Sequence, residues 1–442
     1  MGQYCAYVRM VQMLYYPGHF GALTVAGDTP EETADMSTTL TDTPARPATS
    51  YPTPARPDDD RFVPLAREIG EVAARHAADH DRDASFVAEA YEAMRELGYL
   101  ALAVPEELGG LGASLRQVCY AQAELARHDG ATALAQAMHQ YLTVMQGYRR
   151  RAGAPDAEGV LRRIADEGIV IATSGGSDWL WPTTIATPVS ENGEPPTAYR
   201  ISGRKAFCSQ SPGATVVATC AVVGEPGPDA EVIHFSVPFA AEGVSLVETW
   251  DTLGMRGTAS HDVVMEDVLV PADKIAGRRP YGEFGGPLAA AALHFAPVVA
   301  SAYYGIAAGA RDAAVAAAAG GSRGPAPLGD LVRVQRQVGL MDATLRVSWW
   351  ALMGAVDELG DGYTAGPETL NTVMVAKRQV VLGAIEVVNL AMDTLGGRSF
   401  FRRSPLERAF RDVRAGTFHP FTPENTLAYA GKLALGLSGA SE

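Results

Sequence analysis

A series of short β-patterned segments sits between two long helix-patterned blocks, and this order restricts the fold more than any other feature of the 442 residues. The β-runs fall at 169–172, 199–202, 215–223, 232–238, 244–247 and 262–270, with Gly/Pro/Asn turn clusters at 190–193 and 224–228. Pro271 closes the last run, because proline has no N–H to give a ladder. Helices, then strands, then helices predict an α+β multidomain chain. We expect an N-terminal α-helical domain over 59–167, a middle β-barrel or sandwich over 168–280, and a C-terminal helical bundle over 281–442. Residues 38–57 are dense in Thr, Pro, Ser and Ala, so 1–58 reads as a disordered tail with little to bury.

Within the first helical block, Phe62, Leu65, Ile69 and Val72 share a face. Asp83 is placed to cap a second helix carrying Phe86, Tyr91, Met94 and Leu97, and Gly98 ends it. Pro105 and the glycines of 104–112 form a turn, followed by helices at 115–127 and 131–149. The second block predicts long helices at 287–319, 328–359 and 368–395. A short helix follows Gly396-Gly397, and a last one covers 425–437.

The net charge of −15 argues against a general nucleic-acid partner, which needs a basic face. Cys5, Cys119, Cys208 and Cys220 show no CxxC spacing, so a reduced, cytoplasmic protein is expected. The longest apolar stretch, 287–319, is interrupted by His294, Pro297, Arg311 and Asp312, so no membrane span is expected. No His/Cys set has metal-ligand spacing, and Ser177 in GGSDW is not a GxSxG elbow.

Two motifs, LGMRGTASHDVVMEDVLVPAD (253–273) and ISGRKAFCSQSPGA (201–214), resemble the acyl-CoA dehydrogenase superfamily of flavoproteins. The VPEELGGLG turn (104–112) is similar too, and the resemblance runs from about Arg61 to Leu437. It implies the acyl-CoA dehydrogenase fold and bound FAD, with FMN as the alternative, the ring lying between β-domain and bundle. Phe207 would shield the ring and Ser209 would bond its N5. Ser177 belongs to a matching Gly176-Ser177-Asp178, and Gly396-Gly397 matches a glycine pair that approaches the cofactor phosphates. Asp393 stands where the family usually has glutamine, which weakens that contact. Arg411-Asp412 matches a late arginine–aspartate pair, read most simply as a structural ion pair. A homotetramer or homodimer is implied.

Dehydrogenases of this family take an α-proton with a glutamate. Nine residues after Arg411 the usual position holds Pro420, preceded by His419. The minority position, eleven residues before Gly305, holds His294, and Phe295 follows where many members have arginine. Vacant glutamate positions resemble the flavin-dependent monooxygenase branch, which is dibenzothiophene monooxygenase-like. Phe207-Cys208-Ser209, the stretch from Arg414 to His419, and His139 carry that similarity. The branch implies a C4a-hydroperoxide of the flavin and a separate flavin reductase. His419, His294 and His139 are therefore the catalytic candidates. His419 is favoured, because it lies in a loop, whereas the other two are helical and could be packed residues. The alternatives are an acyl-CoA or acyl-carrier-protein dehydrogenase with a displaced base, feeding an electron-transfer flavoprotein, and a non-catalytic flavin-binding or assembly protein.

Overall fold

The structure, a computed structural model, describes residues 52–437 except 192, 193 and 361. Of the expected tail over 1–58, residues 1–51, with Cys5, lie outside the described residues. Residues 53–56 are anchored. Thr53 accepts from the Tyr120 hydroxyl at 3.3 Å, and Arg56 pairs with Asp357 at 2.8 Å. Ala55 and Arg56 donate to the carboxylate of Asp59, which Arg116 also holds at 2.6 Å. Ordered chain therefore begins before the boundary read from composition.

The N-terminal helices are α1 (Val63–Asp83), α2 (Ala88–Glu96), α3 (Leu115–His128), α4 (Gly130–Arg151) and α5 (Ala157–Asp166). Asp83 does not cap α2: it ends α1 and pairs with Arg82, and α2 begins only after Val87. Gly98 does follow α2, at φ 70°, the left-handed position glycine fills without strain. Ser114 and Gln117 close a capping box on α3.

The β-module has eight strands: β1 (Ile171–Thr173), β2 (Ile185–Val189), β3 (Ala198–Cys208), β4 (Val216–Val223), β5 (Glu231–Pro238), β6 (Val244–Val247), β7 (His261–Pro271) and β8 (Gly277–Pro280). They form one sheet in the order β6-β7-β3-β2-β4-β5-β8, with β1 parallel to β4 beside β2. Ile201, Val217, Ile233, Phe235, Val263 and Met265 fill its own core.

The C-terminal helices are α6 (Pro287–Gly320), α7 (Val332–Leu359), α8 (Pro367–Leu395), α9 (Pro405–Asp412) and α10 (Pro423–Ala434). Helix α6 runs unbroken through Pro297 and packs on both α3 and α4 of the N-terminal block and on α8. Gly305 permits the crossing: a Cβ there would lie 2.2 Å from the Ala123 carbonyl oxygen. The helical blocks consequently share one hydrophobic core, in which Trp349 packs against Tyr120 and Tyr304 at 4.8 and 4.7 Å. Helices α6 and α8 are each long and apolar enough to cross a bilayer, against the reading that no segment is. Most of the apolar window of α6 is buried in this core, and its Arg311 pairs with Asp342 at 2.7 Å.

Candidate active site

The centre of the site is an irregularity in β3. Lys205 pairs with Val263 and Cys208 with His261, so three steps on β3 face two on β7. The extra residue is expelled from the ladder as a bulge. Phe207 takes φ 57° and holds its ring 56% exposed, edge-on to Trp250 at 6.0 Å. Cys208 turns into the core. Lys205 is fully buried, its ammonium 2.8 Å from Asp178, and Ser174 reaches the same carboxylate at 3.3 Å. Asp178 thus pins the GSDW turn beside Phe207. Ser177 is exposed, and its carbonyl accepts from Leu180 and Trp181.

Ser209 begins a line of hydroxyls. Its Oγ lies 2.8 Å from Ser260 Oγ, which lies 2.7 Å from Thr258 Oγ1. Thr258 donates to the Met255 carbonyl at 2.8 Å. Because Thr258 spends its proton there, Ser260 donates to Thr258 and Ser209 to Ser260. Ser209 is left with lone pairs, ready to accept an N–H. The hook that carries this relay is docked onto the helices. Asp412 accepts from Met255 N at 2.5 Å, and a Cβ on Gly254 would lie 2.5 Å from the Arg411 backbone. Burial pushes the Asp412 carboxyl up to about 7. Arg411 and Asp412 do not pair with each other. Arg411 forks onto Asp81 and Glu407, with nearest distances of 2.6 and 2.8 Å.

The three histidines separate by their partners. His139 Nε2 donates to the Leu100 carbonyl at 2.8 Å, while Nδ1 accepts from Ile171 N at 3.1 Å. Both nitrogens stitch α4 to its neighbours, and burial drives the ring down to about 4. Both ring nitrogens of His139 are thus engaged by backbone groups. His294 is similarly consumed: Nδ1 donates to Ala290 at 2.7 Å, and Nε2 accepts from the Tyr363 hydroxyl at 2.8 Å. Its burial also lowers it to about 4. Both nitrogens of His294 are thus engaged, and the ring lines the aromatic stack of Tyr148 and Tyr363.

His419 alone keeps a nitrogen for chemistry. Nδ1 faces the Tyr303 hydroxyl at 2.8 Å, and no bond within the described chain engages Nε2. Tyr303 satisfies its own proton by donating to Nδ1, so Nε2 carries the hydrogen. Burial first, and then the Lys377 charge, hold this ring down at about 3. Lys377 is 2% exposed on α8 and was not foreseen from the sequence. It donates to the carbonyls of His419 and Phe421 at 3.0 and 2.8 Å.

A line of contacts connects the two halves. His419 packs on Phe295 at 6.0 Å and Phe295 on Tyr141 at 5.4 Å, and Thr173 opposes the burial that pushes the Tyr141 hydroxyl up to about 12. Gly175, two residues on, donates to Ala206 at 3.1 Å, next to Phe207. These contacts lead from His419, through Phe295 and Tyr141, toward the end of β3 that carries Phe207 and Ser209. An outward aromatic ring, an acceptor hydroxyl and a neutral imidazole donor are groups of the kind that can meet the face and edge of a flavin. Gly396-Gly397 is exposed at the end of α8, with Gly396 at φ 63° as a helix C-cap and its carbonyl accepting from Ser399. The polar contacts it makes lie within the bundle. A cavity of 580 Å³ between residues 52–67 and α3 is separate from this region. Among the described residues no group of His, Cys, Asp and Glu could hold a metal.

The fold and the relatives define a flavin-dependent oxidoreductase built of two helical domains around a β-module. The chain belongs to the acyl-CoA dehydrogenase family: models of its N-terminal, middle and C-terminal domains match residues 58–155, 173–268 and 297–424. It is 31% identical over 397 residues to the amino sugar nitrososynthase DnmZ of Streptomyces peucetius, covering 87% of this chain and 95% of that one. It is 25% identical to a dibenzothiophene monooxygenase of Mycolicibacterium goodii, over 81% and 89% of the two chains. The solved structure of KijD3 with FMN and dTDP-3-amino-2,3,6-trideoxy-4-keto-3-methyl-D-glucose is similar at TM-score 0.78 and 26% identity, covering 88% of this chain and 97% of that one.

Proposed function

We propose that this protein is an oxygenase that uses reduced flavin, FMN or FAD, to hydroxylate an amine nitrogen, with amino sugars as the substrate class. The observation that carries the reading is the chemistry of His419. A ring held near 3 is too weak a base to take a thioester α-proton at neutral pH. As a neutral donor at Nε2, however, it suits hydrogen bonding to bound oxygen. Pro420 and His294 occupy the two positions at which the family resemblance expects the carboxylate base of a dehydrogenase.

The flavin, when bound, supplies the two electrons that reduce O2. One oxygen atom goes to nitrogen and the other leaves as water. The chain's own part is to hold and exclude. Ser209, with its proton committed to Ser260, accepts from an N–H such as a reduced flavin offers. Phe207 and Phe295 keep the reacting region apolar. The buried Lys377 disfavours a protonated amine nearby, which keeps the substrate nitrogen nucleophilic. The amino sugar class rests on DnmZ and KijD3, and a separate reductase would deliver the reduced flavin. A homo-oligomer is supported by the apolar residues exposed on α7 and α8: Leu340, Val347, Trp350, Val375 and Leu382.

The test is turnover of nucleotide-linked amino sugars with reduced FMN and isotopically labelled oxygen. Label in a hydroxylamine product supports the reading. Hydrogen peroxide alone, together with anaerobic bleaching of bound flavin by an acyl thioester, would return the chain to the dehydrogenases.

A further inference from the structure

Lys377 is the unusual buried group of the bundle. It lies on α8 in an apolar stretch, TVMVAKRQVVL, and is almost fully enclosed. A buried ammonium normally has a carboxylate partner, because desolvation of an unpaired charge is costly. Lys377 has none among the described residues. It bonds two backbone carbonyls, those of His419 and Phe421, and only burial acts on its ionisation, lowering it to about 7. The chain elsewhere pairs its fully buried lysine in the ordinary way, Lys205 with Asp178. The exception therefore sits against the loop that carries His419.

We propose that Lys377 is a positioning residue for His419: it clamps the loop by the carbonyls on either side of Pro420, and its charge adds to the burial that keeps the ring in the neutral form, which accepts a hydrogen bond from Tyr303 at Nδ1 and offers its own N–H at Nε2. Two physical points support this. Carbonyls one residue either side of Pro420 cannot both stay on one nitrogen if the loop rotates, so the clamp fixes the backbone that carries the imidazole. A positive charge in a water-poor site also disfavours a second one beside it. The other ionisable groups facing the pair are Tyr303 from α6, Asp412 from the end of α9, which acts on Tyr303, and Tyr429 from α10, which packs on Phe421. None supplies Lys377 with a counter-charge. For turnover the inference rests on the oxygenase reading. For the state of the ring it does not.

The experiment is a pH titration of the His419 ring by NMR, with carbon-13-labelled histidine and the signal assigned by its loss in His419→Gln. In the wild type the signal stays that of a neutral ring through the mildly acidic range. In Lys377→Met the inflection moves up by about one pH unit or more, and Lys377→Arg restores the wild-type curve. An identical titration in a folded Lys377→Met overturns the proposal. If Lys377→Met does not fold, the wild type answers alone: the His419 signal should carry a second, small inflection at the pH where the Lys377 side chain itself titrates. Its absence overturns the proposal equally. The ratio of oxygenated product to hydrogen peroxide is read separately. A Lys377→Met variant that shifts the ring but leaves that ratio unchanged counts against the oxygenase role of His419, not against the positioning by Lys377.

Discussion

Replacing His139 by Gln should flatten the acid dependence of stability while leaving the fold and the reaction in place. The ring is fully enclosed and bridges Leu100 O and Ile171 N, and burial lowers it from 6.5 to about 4. The unfolded chain titrates at the ordinary value, so below pH 6.5 it binds a proton that the folded chain refuses. The contribution is therefore complete above 6.5 and is lost as pH falls toward 4. At 1.36 kcal/mol per pH unit, lowering the pH from 7 to 5 costs about 2 kcal/mol through this residue alone. Glutamine offers both a donor and an acceptor, so it can keep one or both backbone bonds without a titrating group. Urea unfolding at pH 7 and pH 5 measures the difference. The wild type should lose about 2 kcal/mol more than His139→Gln across that interval. Equal losses would refute the structural assignment of His139, as would a large drop in turnover at unchanged stability.

Three further outcomes are expected. Tyr303→Phe removes the donor to His419 Nδ1 and leaves a buried acceptor unpaired, a cost of about 1–3 kcal/mol. The assay is the share of oxygen released as hydrogen peroxide, which should rise several-fold. Asp412→Asn keeps an acceptor for Met255 N but removes a carboxyl raised from 3.8 to about 7. The wild-type carboxyl stabilises fully below 3.8 and loses that contribution as pH rises through 7, so the variant should gain on the order of 2–4 kcal/mol relative to wild type at pH 8, read by chemical unfolding. Ser260→Ala breaks the hydroxyl line and frees the Ser209 proton. Titration of apoprotein with reduced and oxidised FMN should show the preference for reduced flavin fall by roughly tenfold, the worth of about one hydrogen bond.

The sequence made the larger architecture readable, because long periodic elements carry their own evidence. Helices α6, α7 and α8 and the strands β4, β5, β6 and β7 fall close to their predicted bounds. Short or proline-bearing pieces did not: β2 contains Pro188, β8 ends at Pro280, and α5 spans fewer than three turns. Asp83 looked like a cap, yet α1 simply continues to it. The site was half legible. Phe207-Cys208-Ser209 and His419 could be read from motif and loop position. That both nitrogens of His139 and of His294 are bonded could not be read, because their partners Leu100, Ile171 and Tyr363 are distant in sequence. Lys377 left one trace, a Lys-Arg pair in the otherwise apolar run of α8, whose meaning depends on carbonyls about forty residues on. The Ser209–Ser260–Thr258 relay is hidden for the same reason, since only the β3–β7 pairing brings the hydroxyls together.

The central claim is that this site sustains reaction of reduced flavin with oxygen and uses His419 as a neutral donor. The most direct measurement mixes the protein, loaded with reduced FMN, with oxygenated buffer and records oxygen uptake and the return of oxidised-flavin absorbance together. The account predicts that absorbance lags uptake, and that His419→Ala abolishes the lag. Simultaneous oxygen loss and flavin reoxidation in the wild type, unchanged by His419→Ala, would contradict it.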